Sequence, residues 1–178
     1  MRKYITIYRE AMRNSFAAAS TYRANFLLQT VVTLLSNILF PLVTILIYHS
    51  GASFQGWTIY EVLLIQSIFT LSTGISSMLF DGIVWSTMGY VVEGTLEIVL
   101  IKPVDCMFYL LASTFNMNSI GVVIGGGVVF GVSIAHINVP SVGMWITCGM
   151  FFLSGILVML GLELLMAATS FKWVANSR

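Results

Sequence analysis

Charge is what this sequence has least of: Lys, Arg, Asp and Glu make up 8% of its 178 residues, against about 25% in soluble domains. Hydrophobic residues reach 58%, so the chain reads as an integral membrane protein. Cysteine is scarce as well. Cys106 and Cys148 stand far apart with no C-x-x-C and no nearby histidine, which excludes the usual thiolate metal and redox motifs and leaves two small apolar residues. The two histidines, His49 and His136, fall in loops with no Cys, Asp or Glu at ligand spacing, so the sequence predicts no metal site. No nucleophile pairs with a base and no two acids pair in a span, so no enzyme is expected. The basic residues do not gather into an aromatic-rich patch, which argues against nucleic acid. A G-x-x-x-x-G-K-[ST] loop is also missing. The run GGGVVFG at Gly125 to Gly131 has no following lysine and lies in an apolar stretch, so the chain is expected to bind no ATP itself.

What is present is long apolar runs separated by charge. The sequence predicts an all-α integral membrane protein with an amphipathic N-terminal interfacial helix and four transmembrane helices. The helix over residues 1–23 sets Ile5, Tyr8, Met12 and Phe16 on one side and Arg9 with Arg13 on another, as suits a segment lying in the headgroup layer. The alternative is a plain soluble arm flanking the first span. The transmembrane domain, 24–171, carries spans near 24–48, 59–80, 106–135 and 144–168, and a tail over 172–178 follows. Pro41 should kink the first span. Glu61 falls in the first turn of the second, where a carboxylate suits the helix dipole. Gln66, Ser67, Thr70, Ser72, Thr73, Ser76 and Ser77 give that span a polar side, which serves either a transport path or helix packing.

The connection over 81–105 organises the rest. It holds five of the fifteen charged side chains, Asp81, Glu93, Glu97, Lys102 and Asp105, between uncharged runs of 19 and 57 residues. All eight Lys and Arg residues lie in the N-terminal arm, this connection and the C-terminal tail, which the positive-inside rule places in the cytoplasm. Its stretch VVEGTLEIVL reads as a short amphipathic helix broken near Gly94, and Lys102 and Pro103 precede the return into the bilayer. Such a segment is either a docking handle for a soluble partner or a solvated loop. Two G-x-x-x-G pairs in the third span, Gly121 with Gly125 and Gly127 with Gly131, predict a packing face within the chain or across a dimer. Glu163 is a possible intramembrane acid, although an interfacial position is expected for it.

The arm MRKYITIYREAMRNSF before YRANFLLQ, and EGTLEIVLIKPV after the second span, resemble the permease subunits of the ABC-2 type exporter family. The markers are Tyr22 to Phe26 and then Gly94, Leu96, Leu100, Lys102 and Pro103. The resemblance implies an elbow helix at the N-terminus and a coupling helix after the second span that contacts an ATP-binding subunit. Glu93, Gly94, Thr95, Leu96 and Glu97 would lie in or beside that contact. Lys102 stands where relatives usually have arginine before the proline, which keeps the charge and loses bidentate pairing. Members usually have about six spans, and these four correspond to the first four of them. The implied function is the membrane subunit of an exporter in a bacterial cytoplasmic membrane. It would work by alternating access, powered by a separate ABC ATP-binding subunit that holds the ATP, and pair with a second permease chain as a homo- or heterodimer in the lipid bilayer. The alternative is a non-transporting four-helix membrane assembly protein, or an inactive truncated permease.

Overall fold

Backbone amides in hydrocarbon must be satisfied within their own segment, so apolar runs of this length become helices. In the computed structural model, which describes residues 2–52, 54–137 and 141–175, that is the outcome. The helices are α1 Arg2–Thr21, α2 Arg23–His49, α3 Ile59–Phe80, α4 Gly82–Glu93, α5 Leu96–Leu100, α6 Cys106–Ser113, α7 Ile120–His136 and α8 Val142–Ala175. No strand occurs among the described residues. Pro140 and the tail from residue 176 lie outside them. Among the described residues four stretches are long and apolar enough to cross a membrane: Arg23–His49, Ile59–Glu93, Met117–His136 and Val142–Lys172. The all-α, four-span reading is therefore what the chain adopts.

Two boundaries differ from the expectation. The stretch 106–135 is not one helix: α6 ends at Ser113, a tight turn covers Met117–Ser119, and α7 begins at Ile120. The cause lies in the run Ser113–Ser119, where Ser, Thr and Asn compete for backbone partners. The Asn116 amide donates to the Met78 carbonyl at 2.9 Å instead of continuing the helix. The span proper then counts 20 residues from Met117, or about 30 Å, the thickness of a hydrocarbon core. In the second place, helix resumes at Gly82 immediately after Asp81, so Ile59–Glu93 counts 35 residues. At about 52 Å it outreaches the core. The histidines also shift, closing α2 and α7 as their last residues rather than lying in loops.

The chain divides into two units. One gathers α1, the stretch Ser76–Met117 and α8 from Leu157; the other gathers Ala24–Ile75 and Asn118–Ile156.

In the second unit α3 starts with a capping box. The Thr58 amide and hydroxyl donate to the Glu61 carboxylate at 2.7 and 2.9 Å, and the Glu61 amide returns to the Thr58 hydroxyl at 3.4 Å, satisfying donors that every helix start leaves orphaned. Further in, α7 meets α2 where glycine removes the obstacle. A Cβ at Gly121 would fall on the Thr33 hydroxyl and 2.6 Å from the Thr30 carbonyl oxygen. Gly126 lies against Thr70 and Leu71 of α3, and Gly74 against Val122 and Val123. A side-chain hydrogen bond links α3 to α2: Gln66 Nε2 donates to Thr44 Oγ1 at 2.7 Å. The hydroxyls of Ser67, Ser72 and Thr73 turn back onto carbonyls of their own helix, and Ser67 and Ser72 are buried. The part of α3 in this unit thus uses its small polar residues for packing. Pro41 is buried inside α2, where its ring nitrogen cannot donate to the Asn37 carbonyl.

Candidate functional site

The charged connection is built on the first unit by α4, α5 and α6. Helix α4 ends because Gly94 turns left-handed, with φ +68°. The Thr95 amide then donates to the Tyr90 carbonyl at 3.0 Å and the Gly94 amide to the Val91 carbonyl at 3.3 Å, a Schellman closure that glycine makes without a Cβ clash. Thr95 precedes α5, and its hydroxyl is buried without a partner. From Leu96 one turn of helix sorts its residues by exposure. Val99 is 1% exposed, while Ile98 is 59%, Leu100 61% and Ile101 80% exposed. Glu93 and Glu97 are also exposed and Leu96 is half-buried. An outward face of two carboxylates and three large apolar side chains results, held from behind by Val99.

Beyond α5 the backbone is pinned twice. Lys102 Nζ sits 3.7 Å from the centroid of the Tyr109 ring, a cation–π contact that ties the loop to α6. Pro103 is exposed between them. Asp105 then caps α6, its carboxylate accepting from the Phe108 amide at 2.9 Å. Gly82 lets α4 approach the end of α6, since a Cβ there would lie 2.7 Å from Thr114 Cβ and 2.8 Å from its carbonyl oxygen.

Helix α1 joins this platform through one stripe. Tyr4 meets Phe108 edge-on at 4.7 Å, Tyr8 meets Phe115 at 6.4 Å, and the Ser15 hydroxyl donates to the Phe115 carbonyl at 2.6 Å. Partial burial holds the Tyr8 phenol above the ordinary tyrosine range, because a phenolate would lose its hydration there. The docking stripe includes Tyr8 of the apolar side read from the sequence. Ile5 and Phe16 stay exposed, which leaves them as an apolar edge pointing away from the protein. Between α1 and α6 a groove of about 520 Å³ is lined by Glu10, Asn14, Ser15, Tyr109 and Ser113.

The remaining sequence candidates are spread out. Gly121 and Gly125 are buried, but a Cβ at Gly127 or Gly131 would meet nothing within 4 Å. Glu163 is half-buried in α8 and within electrostatic range of Asp81. His136 stacks on Tyr60 at 4.3 Å with 9° between the rings. No group of three or more His, Cys, Asp or Glu side chains that could hold a metal ion occurs among the described residues.

Residues 30–178, which include all four spans but for the first turns of α2, match the family model described as ABC-2 family transporter protein. The chain belongs to the ABC-2 transporter family. Comparison with curated proteins and with solved structures gave no match. As an ABC-2 transporter chain it is a multi-pass membrane protein and a permease component, the family being the membrane part of the system and not its ATPase. What sequence reasoning missed in this ABC-2 chain is α4, the break at Ser113, and the aromatic and hydroxyl contacts that fasten α1 to α6. The polar run at Ser113–Ser119 was a readable signal for the break. The α1 contacts had none, since they join residues about a hundred positions apart.

Proposed function

We propose that this chain is the permease subunit of an ATP-driven exporter of a bacterial cytoplasmic membrane, moving its substrate outward by alternating access. The ATP is held by a separate ABC ATP-binding subunit, and α5 with its flanks is the coupling element that this subunit engages. The observation that carries the reading is the outward face formed by Glu93, Glu97, Ile98, Leu100 and Ile101. Its carboxylates suit a basic rim on the partner and its apolar side chains suit a groove within that rim. Gly94, Thr95, Leu96, Lys102 and Pro103 shape and position that face. The backing by Val99 and the Lys102–Tyr109 contact make it stiff enough to pass a push from the ATPase to α4 and α6. The positive-inside count supports a cytoplasmic position for α1, α5 and both termini. Gly127 and Gly131 leave an open stripe on α7 that suits a second permease chain, and Glu163 is an interfacial acid in this reading.

The test is affinity capture of the solubilised chain from its native membrane, comparing the intact protein with a triple variant, Glu93→Ala, Leu96→Ala and Glu97→Ala. Co-purification of an ABC ATP-binding subunit with the intact chain, and its loss with the variant, is the expected result. A folded intact chain that brings down no ATPase would overturn the exporter reading in favour of a membrane assembly protein.

A further inference from the structure

The second unit contains a pocket that the coupling surface does not explain. Its volume is about 250 Å³, and it is walled by Ile68 and Leu71 of α3, Phe130 of α7, and Trp145 and Phe152 of α8. The space exists because position 149 is glycine. Trp145, Gly149 and Phe152 follow at helical spacing on one face, and a Cβ at Gly149 would meet nothing within 4 Å. Two aromatic side chains thus stand above and below a gap one side chain wide. Cys148 completes the lining, which bears no charged group.

Position decides what fills it. Counted from the ends of α3, α7 and α8 that share one membrane face, the lining residues lie between about 5 and 18 Å deep. That depth covers one leaflet's half of a core of about 30 Å. Trp145 is the shallowest, at the level where indole rings anchor to the headgroup region. Every lining side chain is only half-buried and Gly149 is exposed, so the pocket opens outward. Beside it, Met144, Met150, Phe151 and Leu153 continue the same apolar surface, each more than 60% exposed. The pocket is therefore an indentation continuous with the lipid-facing wall of the spans.

We propose that this pocket holds one acyl chain of a membrane phospholipid, inserted between α3, α7 and α8 with its headgroup beside Trp145. Helices in lipid gain nothing from hydrophobic exclusion and associate by close packing. An empty gap at this depth would forfeit dispersion contacts on all of its walls, and an unbranched chain suits the uncharged gap lined by Trp145, Gly149 and Phe152. The proposal stands on the spans alone and holds whether or not the chain exports anything.

The experiment uses the full chain with Trp57, Trp85 and Trp173 changed to Phe, so that Trp145 is the sole fluorophore, in nanodiscs of phosphatidylcholine with or without bromine on the acyl chains. Bromine quenching of Trp145 is compared among the parent, Gly149→Ala, Gly149→Leu and a control on the same helix, Gly161→Leu, whose Cβ position is also open. Quenching is expected to fall in steps, furthest in Gly149→Leu as the pocket-held chain is excluded and bulk lipid remains, with the control unchanged. Gly149→Ala raises helix propensity and keeps the series readable if Leu disturbs the fold. Native mass spectrometry from detergent should show a retained phospholipid on the parent and none on Gly149→Leu. Equal quenching across the series would overturn the proposal. So would a Trp145 that bromine does not reach, because another helix would then cover the pocket, or a retained mass that is not a phospholipid, because the site would then belong to another amphiphile.

Discussion

The two units of the molecule hold their helices together by different means. In the second, glycines bring α7 against its neighbours: Gly121 against the Thr30 carbonyl of α2, Gly126 against Thr70 and Leu71, and Gly74 of α3 against Val122 and Val123. In the first, α1 docks through aromatic edges and a hydroxyl, α6 starts on a carboxylate cap, and a lysine lies over a tyrosine ring. The difference fits the proposed placement of α1, α5 and the start of α6 at the membrane surface. Lipid rewards only contact and penalises unsatisfied polar groups. At an interface side-chain caps and cation–π pairs become usable, since their charged ends can stay hydrated.

The sharpest way to break this comparison is to place a side chain where two backbones touch. Gly121→Leu should abolish the folded state of the second unit, and Gly121→Ala should cost about 1–3 kcal/mol, read by unfolding in mixed micelles. Gly127→Ala and Gly131→Ala, in open space, should be neutral or stabilising by up to about 1 kcal/mol. If all three alanines behave alike, close glycine packing does not hold that unit together. In the first unit Val99→Ala should cost about 2 kcal/mol through lost burial. Ile101→Ser should leave stability unchanged and weaken capture of the ATPase, which separates the inward from the outward face of α5. Asp105→Ala should cost about 1 kcal/mol as a lost cap and release the Lys102 loop, measured as faster amide exchange at Phe108.

The smallest effect is a pH dependence. Tyr8 is held above the ordinary value of 10.0 by burial, so the folded form keeps its proton while an undocked α1 loses it. The docking contribution is therefore complete below about pH 10 and falls as pH rises through the folded pKa. Tyr8→Phe should remove that alkaline loss, monitored by protease access to α1. A variant that keeps the full alkaline transition would show that Tyr8 is not its source.

Fold class was legible from residues alone, because charge is so sparse that its gaps mark the spans. The same emphasis hid two features. GIVWSTMGYVVE reads as part of a polar connection only through the charges around it, since it contains a single charge, Glu93, at its end. Its apolar residues recur at helical spacing. The run from Cys106 reads as one span because it carries no charge, although Asn116 and Asn118 are uncharged residues of the kind whose side chains compete for backbone hydrogen bonds and interrupt a helix. The turn at Gly94 was readable, since few other residues tolerate that φ. The outward face of α5 was readable only in part: Glu93 and Glu97 could be named, whereas nothing in the sequence separates Val99, which is buried, from Leu100 and Ile101, which are not.

The Ser15 to Phe115 hydrogen bond closes a loop of a hundred residues, and that fixes an order of events during synthesis. Helix α1 leaves the ribosome first, but its docking site on α6 does not exist until residue 115 has been made. At about 5–20 residues per second the wait is roughly 5 to 20 s. Through that interval α1 lacks the aromatic and hydroxyl partners it later has around α6, and Ile5 and Phe16 remain exposed even after it has docked.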